Sequence, residues 1–329
     1  MERAARSRTR PAPVAPLWVV GSAFWLAVFA VVAARGFGVA ENETLATFGV
    51  IFTSIVVEAL PFILLGAAAS AAIAVWVPAR AFARVARLPR PLQVPAAAAA
   101  GFAMPVCECG SVPVARRLML RGLSPSAGIA FMLAAPILNP IVLASTWVAY
   151  GAAGKAVEMT AARAGLGLIV AVLAGLIIGR GDQALLRDRE ERVDQHVQTG
   201  GFVEHLADDF VFMGRFVVLG AAVAALLQTV VPQDALSAVA DHPLLGALAL
   251  MGLAVALSLC SEADAFVAVS FTAFPLGSQL AFLVLGPVVD AKLAVLYGAT
   301  FRRRFVLQVL VVAVPAALAG ALVFDEVFG

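Results

Sequence analysis

Long apolar stretches separated by short polar segments run through most of the chain. Seven of them contain the roughly 20 apolar residues that a membrane-spanning helix needs, at about 17–35, 46–76, 123–149, 161–179, 206–231, 278–299 and 305–324. Two further apolar windows, at about 94–115 and 244–274, are interrupted by polar residues. The pattern predicts about seven spanning helices, and each interrupted window either spans the bilayer or forms a re-entrant hairpin.

The first interrupted window contains residues that break helices. Pro105, Gly110 and Pro113 disfavour one continuous helix through it. Broken backbone inside a bilayer is tolerated only where protein covers it or where it lines an aqueous cavity. We therefore interpret this window as one half of a transport site.

Most of the arginines fall in five clusters that restrict the topology. The clusters are 3–10, 80–90, 116–121, 180–192 and 302–304. The positive-inside rule places all of them in the cytoplasm, which requires the window at 94–115 to enter from the cytoplasm and return to it. The N-terminus is then cytoplasmic, the C-terminus lies outside, and the window at 244–274 is re-entrant from the outside.

Two sequence stretches recur with nearly the same offset, which indicates an internal repeat. Residues 62–71 recur at 216–225, 130–139 recur at 281–290, and Cys107 aligns with Cys260. The topology makes the two copies inverted, an arrangement typical of secondary transporters whose site lies near the bilayer midplane. The predicted order is a cytoplasmic arm with a first span (1–45), repeat 1 (46–180), a cytoplasmic linker (181–205) and repeat 2 (206–329). A cleaved leader is the alternative to the first span, and His196 and His205 are expected in a solvated linker.

Composition agrees with a membrane location. The 329 residues are 62% hydrophobic and 13% charged, with a mean hydropathy of +0.97. These values are typical of a polytopic membrane protein in a lipid bilayer. The net charge of +2, with arginines clustered by topology, predicts no nucleic-acid partner.

Three cysteines are the first candidate ligands. Cys107 and Cys109 are two positions apart, and Cys260 occupies the matching place in the other repeat. Thiolates select soft ions such as Cu(I), Zn(II) or trivalent arsenic, so the three thiols are candidate metal and substrate ligands. The alternative is that they are buried, inert side chains.

Polar residues in the apolar windows are the second group of candidates. Acidic residues inside a membrane are costly and mark functional sites, and this description fits Glu108, Glu262 and Asp264. Asn139 and Asp290 follow prolines that free backbone carbonyls. The alternative for the acids is contact with lipid headgroups. Glu58 is ambiguous, and Lys292 and Arg215 are expected to snorkel or to form ion pairs near the cytoplasmic surface.

Several of these motifs together resemble a known family. Pro105-Val-Cys-Glu-Cys-Gly-Ser-Val-Pro113, Arg121-Gly122 and Ala135-Pro-Ile-Leu-Asn-Pro140 are similar to the motifs of the bacterial predicted-permease family that includes organoarsenical efflux permeases. The resemblance covers about 46–325, because the second half carries the family's Asp-Ala-Phe and Gly-Pro-x-x-Asp-x-Lys stretches. The family usually has serine where this chain has Glu108, and the added carboxylate favours a harder or more positively charged cargo.

We therefore predict an all-α permease of the bacterial inner membrane, with inverted repeats and two re-entrant hairpins. It is expected to export a soft metal or metalloid species by alternating access, with protons as a candidate coupling ion and no resident cofactor. One alternative is a permease for another small solute, in which the cysteines only pack. A membrane-embedded enzyme or redox protein is disfavoured by the absence of a Cys-x-x-Cys pair, and direct ATP coupling by the absence of a nucleotide-binding motif.

Overall fold

The computed structural model describes residues 43–76, 89–104, 106–180, 201–230, 242–302 and 304–328. Within these ranges the regular structure is helical and no β-strand occurs, so the chain is an all-α polytopic membrane protein. The first predicted span and His196 lie outside the described residues. Five described segments are long and apolar enough to cross a bilayer: Leu45–Trp76, Pro125–Gly151, Ala156–Ile178, Phe202–Thr229 and Phe305–Phe328.

Twelve α-helices occur in the described ranges. The first six are α1 (Glu43–Trp76), α2 (Arg90–Ala100), α3 (Glu108–Leu120), α4 (Pro125–Leu138), α5 (Pro140–Gly151) and α6 (Ala156–Ile178). The second six are α7 (Phe202–Val230), α8 (Pro243–Leu257), α9 (Asp264–Ala268), α10 (Leu276–Leu285), α11 (Ala291–Thr300) and α12 (Phe305–Phe328). The described residues from Thr47 to Phe328 belong to one compact unit, and the description below concerns that unit.

The order of elements in the first six helices recurs in the second six. Each set has a long helix, an interrupted segment flanked by helices, a broken helix pair and a final long helix. Helices α4 and α10 are buried along almost their whole length and form the core. The long helices α1, α6, α7 and α12 carry exposed apolar side chains, as helices facing lipid do. The recurrence supports the predicted repeat, and the inversion stays a prediction.

The first interrupted window folds as helix, break and helix. Helix α2 continues into one 3-10 turn (Gly101–Ala103), and the backbone is extended at Met104 and Cys107 before α3 begins. Pro105 accounts for the extended Met104, because a residue before proline is disfavoured in the helical region. The two ends of this window lie together, because the Ser124 hydroxyl, just beyond α3, donates a hydrogen bond of 2.5 Å to Gln93 near the start of α2. This is the geometry expected of a re-entrant hairpin.

The second interrupted window has a similar break. Helix α8 ends at Leu257, and Ser258 adopts a left-handed conformation with φ of 49°. Residues 259–263 are irregular, and the short helix α9 follows. The Ser258 hydroxyl accepts a hydrogen bond of 3.1 Å from the backbone N–H of Ala291, so this break is fixed to the start of α11.

The predicted span at 278–299 consists of two helices, and so does the span at 123–149. Helix α10 ends at Leu285 before Pro287, and α11 starts only at Ala291. The break between α4 and α5 falls at Asn139, ahead of Pro140. Proline lacks the N–H that a continuous helix needs at these points.

Candidate substrate site

Residues from both halves of the unit line one small cavity. It is formed by the start of α3, the break after α8, the start of α11 and the middle of α1. The cavity has a volume of about 20 Å³, which is enough for about one water molecule. Its lining residues are Ile55, Glu58, Ala59, Phe62, Cys107, Glu108, Cys109, Ser258, Leu259, Cys260 and Lys292.

Glu108 is the centre of the polar contacts in this cavity. Its side chain is 1% exposed, and each carboxylate oxygen has a partner from the other half of the chain. The Lys292 ammonium donates to Oε1 at 3.0 Å, and the Ser261 hydroxyl donates to Oε2 at 3.0 Å. Hydrogen bonds to a charged group are stronger than those between neutral groups, so these contacts hold the two halves together at the cavity.

Lys292 lies inside the protein and does not snorkel to the surface. It is 3% exposed, and its ammonium lies 3.0 Å from Glu108 and 3.6 Å from Asp290. The expectation of an ion pair is therefore confirmed, while the depth of Lys292 in the bilayer stays a prediction. A buried ammonium requires such partners because an isolated charge is too costly to bury.

All three thiols are buried and free of disulfide bonds. The Cys260 thiol donates to Glu262 Oε2 at 2.7 Å, and the Cys107 thiol interacts with that of Cys109. The cysteines also pack in one apolar cluster with residues of α1 and α7, namely Ala59, Ile63, Ala67, Met213 and Val217. The structure thus places the predicted thiols together at the cavity and surrounds them with apolar side chains.

Asp264 and Asn139 have partners away from this cavity. Asp264 forms a two-pronged ion pair with Arg163 of α6, with distances of 2.9 and 2.7 Å. Asn139 caps α5 by accepting from the backbone N–H of Ile141 at 3.0 Å. Asp290 caps α11 in the same way, accepting from Leu293 at 2.6 Å, but it also faces Lys292. Of Asn139 and Asp290, only Asp290 contacts a charged residue that lines the cavity.

Arg163 is a site-positioning residue that sequence reasoning missed. It is fully buried, and besides Asp264 it donates to Thr146 at 2.8 Å and to the backbone carbonyl of Ser261 at 3.3 Å. It therefore fixes the segment that carries Cys260 and Glu262. Its position within an apolar window was a signal available in the sequence, because ionisable residues inside membranes are rare and usually functional.

Two further ionisable residues are buried. Arg117, from the arginine cluster at 116–121, lies within α3 and pairs with Asp209 of α7 at 2.9 Å. His205, expected in the solvated linker, lies in α7 and is 4% exposed beside Arg117. Arg215, by contrast, is exposed, with its guanidinium 4.8 Å from the Phe212 ring centre.

Comparison with known proteins places the chain in a family. The profile of a family described as "Predicted permease" matches residues 44–326. The chain belongs to this family. It is 42% identical over 281 residues to the UPF0718 protein YcgR of Bacillus subtilis (strain 168), covering 83% of this chain and 95% of that protein. No solved structure matches.

A second relative comes from Streptococcus mutans serotype c (strain ATCC 700610 / UA159). It is named "Putative two-component membrane permease complex subunit" and is 34% identical over 268 residues, covering 78% of this chain and 88% of that protein. Family membership together with the five long apolar segments makes the chain a multi-pass membrane permease. The cavity between the two halves is therefore the candidate path for its cargo.

Proposed function

We propose that this permease exports a soft metal or metalloid species by alternating access around the cavity at Glu108. The single observation that carries the proposal is the convergence of thiols and charged groups from both halves on one small cavity. Glu58, near the middle of the 34-residue helix α1, lines this cavity. That depth supports a site near the midplane, where secondary transporters bind their substrates.

The charged residues at the cavity support a mechanism in which movement of the cargo is coupled to movement of an ion. Lys292 neutralises Glu108, and Asp290 offers a second carboxylate to the same ammonium. A cargo that displaces one of these contacts changes the balance of charge between the two halves, which a proton or another ion can restore. We therefore propose secondary-active transport with protons as the coupling ion.

A growth and efflux assay tests the proposed cargo. Cells lacking their own exporters would express the wild type, Cys107→Ser or Cys109→Ser and would be exposed to trivalent arsenicals and soft metal ions. We expect at least a tenfold loss of efflux in both variants, since even the loss of a residue that only orients a metal ligand lowers metal affinity about 10–100-fold. Met132→Leu, which removes a buried sulfur outside the cavity, is the matched control. Wild-type protection by both cysteine variants, against every cargo that the wild type exports, would refute the proposal.

A second candidate function is transport of another small solute, with cysteines that serve only packing. The apolar cluster around the thiols favours it, because free cysteine often behaves as a small hydrophobic residue. In that case Cys107→Ala and Cys109→Ala would keep transport, while Lys292→Met would still impair it. Measuring the same efflux in all three variants separates the two candidates.

We also propose that the chain lies in the bacterial inner membrane with its N-terminus in the cytoplasm. The adjacent ends of the first interrupted segment support the predicted topology, in which that segment opens to the cytoplasm. Ala153→Cys and Gly201→Cys place thiols at two exposed positions that the topology puts on opposite sides. A membrane-impermeant maleimide should label Ala153→Cys in intact cells and Gly201→Cys only after lysis. Labelling of both variants in intact cells would refute this orientation.

The name of the Streptococcus mutans relative describes one subunit of a two-component membrane complex. By that likeness we propose that this chain also works with a second membrane subunit. Affinity purification of the tagged chain from its native host should yield a stoichiometric membrane protein. Recovery of the chain alone, under conditions that preserve transport, would refute this part.

A further inference from the structure

We propose that Glu108, Cys260 and Glu262 form a binding site for a divalent transition-metal ion of borderline hardness, with Lys292 as a built-in competitor. This inference rests on the proposed transport of a metal species and specifies the chemistry of its site. It differs from a purely thiol-based site, since two of the three donors are carboxylates. The argument depends on three features of the cavity.

The first feature is the spacing of the donors. One ligand atom from each of the three residues lies within 4.8 Å of the others. The donors come from two separate breaks in the fold, because Glu108 starts α3 and the other two lie between α8 and α9. A single ion of about 2 Å bond length can therefore contact all three after small side-chain adjustments.

The second feature is the donor set itself. Carboxylates suit hard cations and thiolates suit soft ones, so a mixed oxygen and sulfur set selects ions such as Zn²⁺ or Co²⁺. Trivalent arsenic needs several thiolates, whereas only Cys260 contributes sulfur within this group. Glu108 supplies one of the oxygens.

The third feature is unused coordinating capacity. Glu262 Oε1 and Asp290 Oδ2 are buried and make no hydrogen bond to any described group. Buried polar atoms normally have partners, and Asp290 is only 1% exposed. The first oxygen is available to a metal ion, and the second is available to the ammonium that such an ion would displace.

The Lys292 ammonium occupies the position beside Glu108 where a metal ion would bind. Its ammonium is 3.0 Å from Glu108 and 3.6 Å from the unbonded oxygen of Asp290. An entering metal ion would repel the ammonium, which then needs to move only a short distance to Asp290. The Cys260 S–H bond breaks, the thiolate binds the metal, and one proton leaves to solvent, so the metal keeps its oxidation state.

Cobalt provides a direct probe of this site. The full-length protein in lipid nanodiscs would be titrated with Co²⁺, whose bond to a thiolate gives a charge-transfer absorption in the near ultraviolet. We expect this absorption in the wild type, its loss in Cys260→Ser, and at least tenfold weaker binding in Glu262→Gln. Met132→Leu, which removes a buried sulfur outside the cavity, is the control and should keep the band. Retention of the band in Cys260→Ser would overturn the assignment.

Competition by Lys292 is tested with two substitutions of opposite expected sign. Lys292→Met removes the competing charge and should tighten Co²⁺ binding. Asp290→Asn removes the alternative partner of the ammonium while keeping a capping residue, so it should weaken binding. The Co²⁺-induced rise in unfolding temperature reports on both, even where a variant is less stable without metal. Shifts of the same sign in both variants would refute the competition.

The test of this metal site and the test of the proposed export can fail independently of each other. Efflux of arsenicals that depends on Cys107, together with no Co²⁺ band, would refute this inference alone. A Co²⁺ band that depends on Cys260, with efflux unaffected in every cysteine variant, would refute the proposed export and leave the metal site standing.

Discussion

The two interrupted segments carry similar residues but are held in different ways. Glu108 and its flanking cysteines begin a regular helix of 13 residues, and Lys292 from the second half of the chain holds them. Cys260 and Glu262 lie in irregular backbone, which Arg163 from the first half holds through a main-chain carbonyl. Each half therefore positions the site segment of the other half.

The two segments differ in how many hydrogen bonds the carboxylates of Glu108 and Glu262 make. Both oxygens of Glu108 accept from side chains of the other half, so this carboxylate is fully satisfied. Glu262 accepts from the Cys260 thiol with one oxygen, and its other oxygen is unbonded among the described residues. With Lys292 in place, the first segment balances charge between the halves, while the second segment has an unbonded carboxylate oxygen that can bind a ligand.

The largest effect is expected from removing the anchor of the second segment. Arg163→Met would leave Asp264 buried without its partner, and breaking a buried ion pair costs about 3–5 kcal/mol. Thermal unfolding of the purified protein in detergent should show a marked loss of stability. Cys260 should also react faster with a maleimide, because the segment that carries it is no longer fixed.

Replacing both members of this ion pair is the control. Arg163→Met combined with Asp264→Leu removes both buried charges and should restore much of the stability, since apolar replacement of a whole pair is often neutral. If the single and double variants are equally unstable, the cost comes from lost packing and not from an unpaired charge. An unchanged unfolding temperature in Arg163→Met would contradict the anchoring role.

A smaller effect is expected where α1 packs against the first segment. A Cβ atom on Gly110 would lie 2.9 Å from the Cα of Gly66, so the two backbones are in direct contact. Gly110→Ala should force α3 away from α1 and cost about 1–3 kcal/mol through overpacking. It should also disturb the labelling of Cys107 and Cys109 more than that of Cys260.

Gly214→Ala is the matched control for this substitution. Gly214 lies in helix α7, and nothing is within 4 Å of the position that its Cβ would take. Alanine there should leave stability unchanged or raise it by about 0.5–1 kcal/mol, because alanine favours the helix. Equal losses in both variants would show that the close contact of α1 and α3 is not required.

Much of the fold could be predicted from the sequence, because a helix that crosses a bilayer needs a long apolar run. The hydrophobic windows located α1, α6, α7 and α12 closely, but they could not show that 278–299 is broken, since its residues remain apolar on both sides of Asp290. The repeat and the breaks identified Glu108 and the cysteines as neighbours of one site. The partners of the buried charged residues could not be predicted. The sequence around a single charged residue such as Lys292 is the same whether that residue faces lipid headgroups or a buried carboxylate.

The smallest effects should come from the two capping residues at matching breaks, Asn139 and Asp290. Asn139→Ala removes one hydrogen bond at the start of α5 and should cost about 1 kcal/mol, as loss of a helix cap does. Asp290→Ala removes the equivalent bond and also leaves Lys292 with a single carboxylate, so it should cost more. Asp290→Asn separates the two contributions because it keeps the cap and removes only the charge. Unfolding temperatures of the three variants measure the difference, and equal losses in Asn139→Ala and Asp290→Ala would show that Asp290 acts only as a cap.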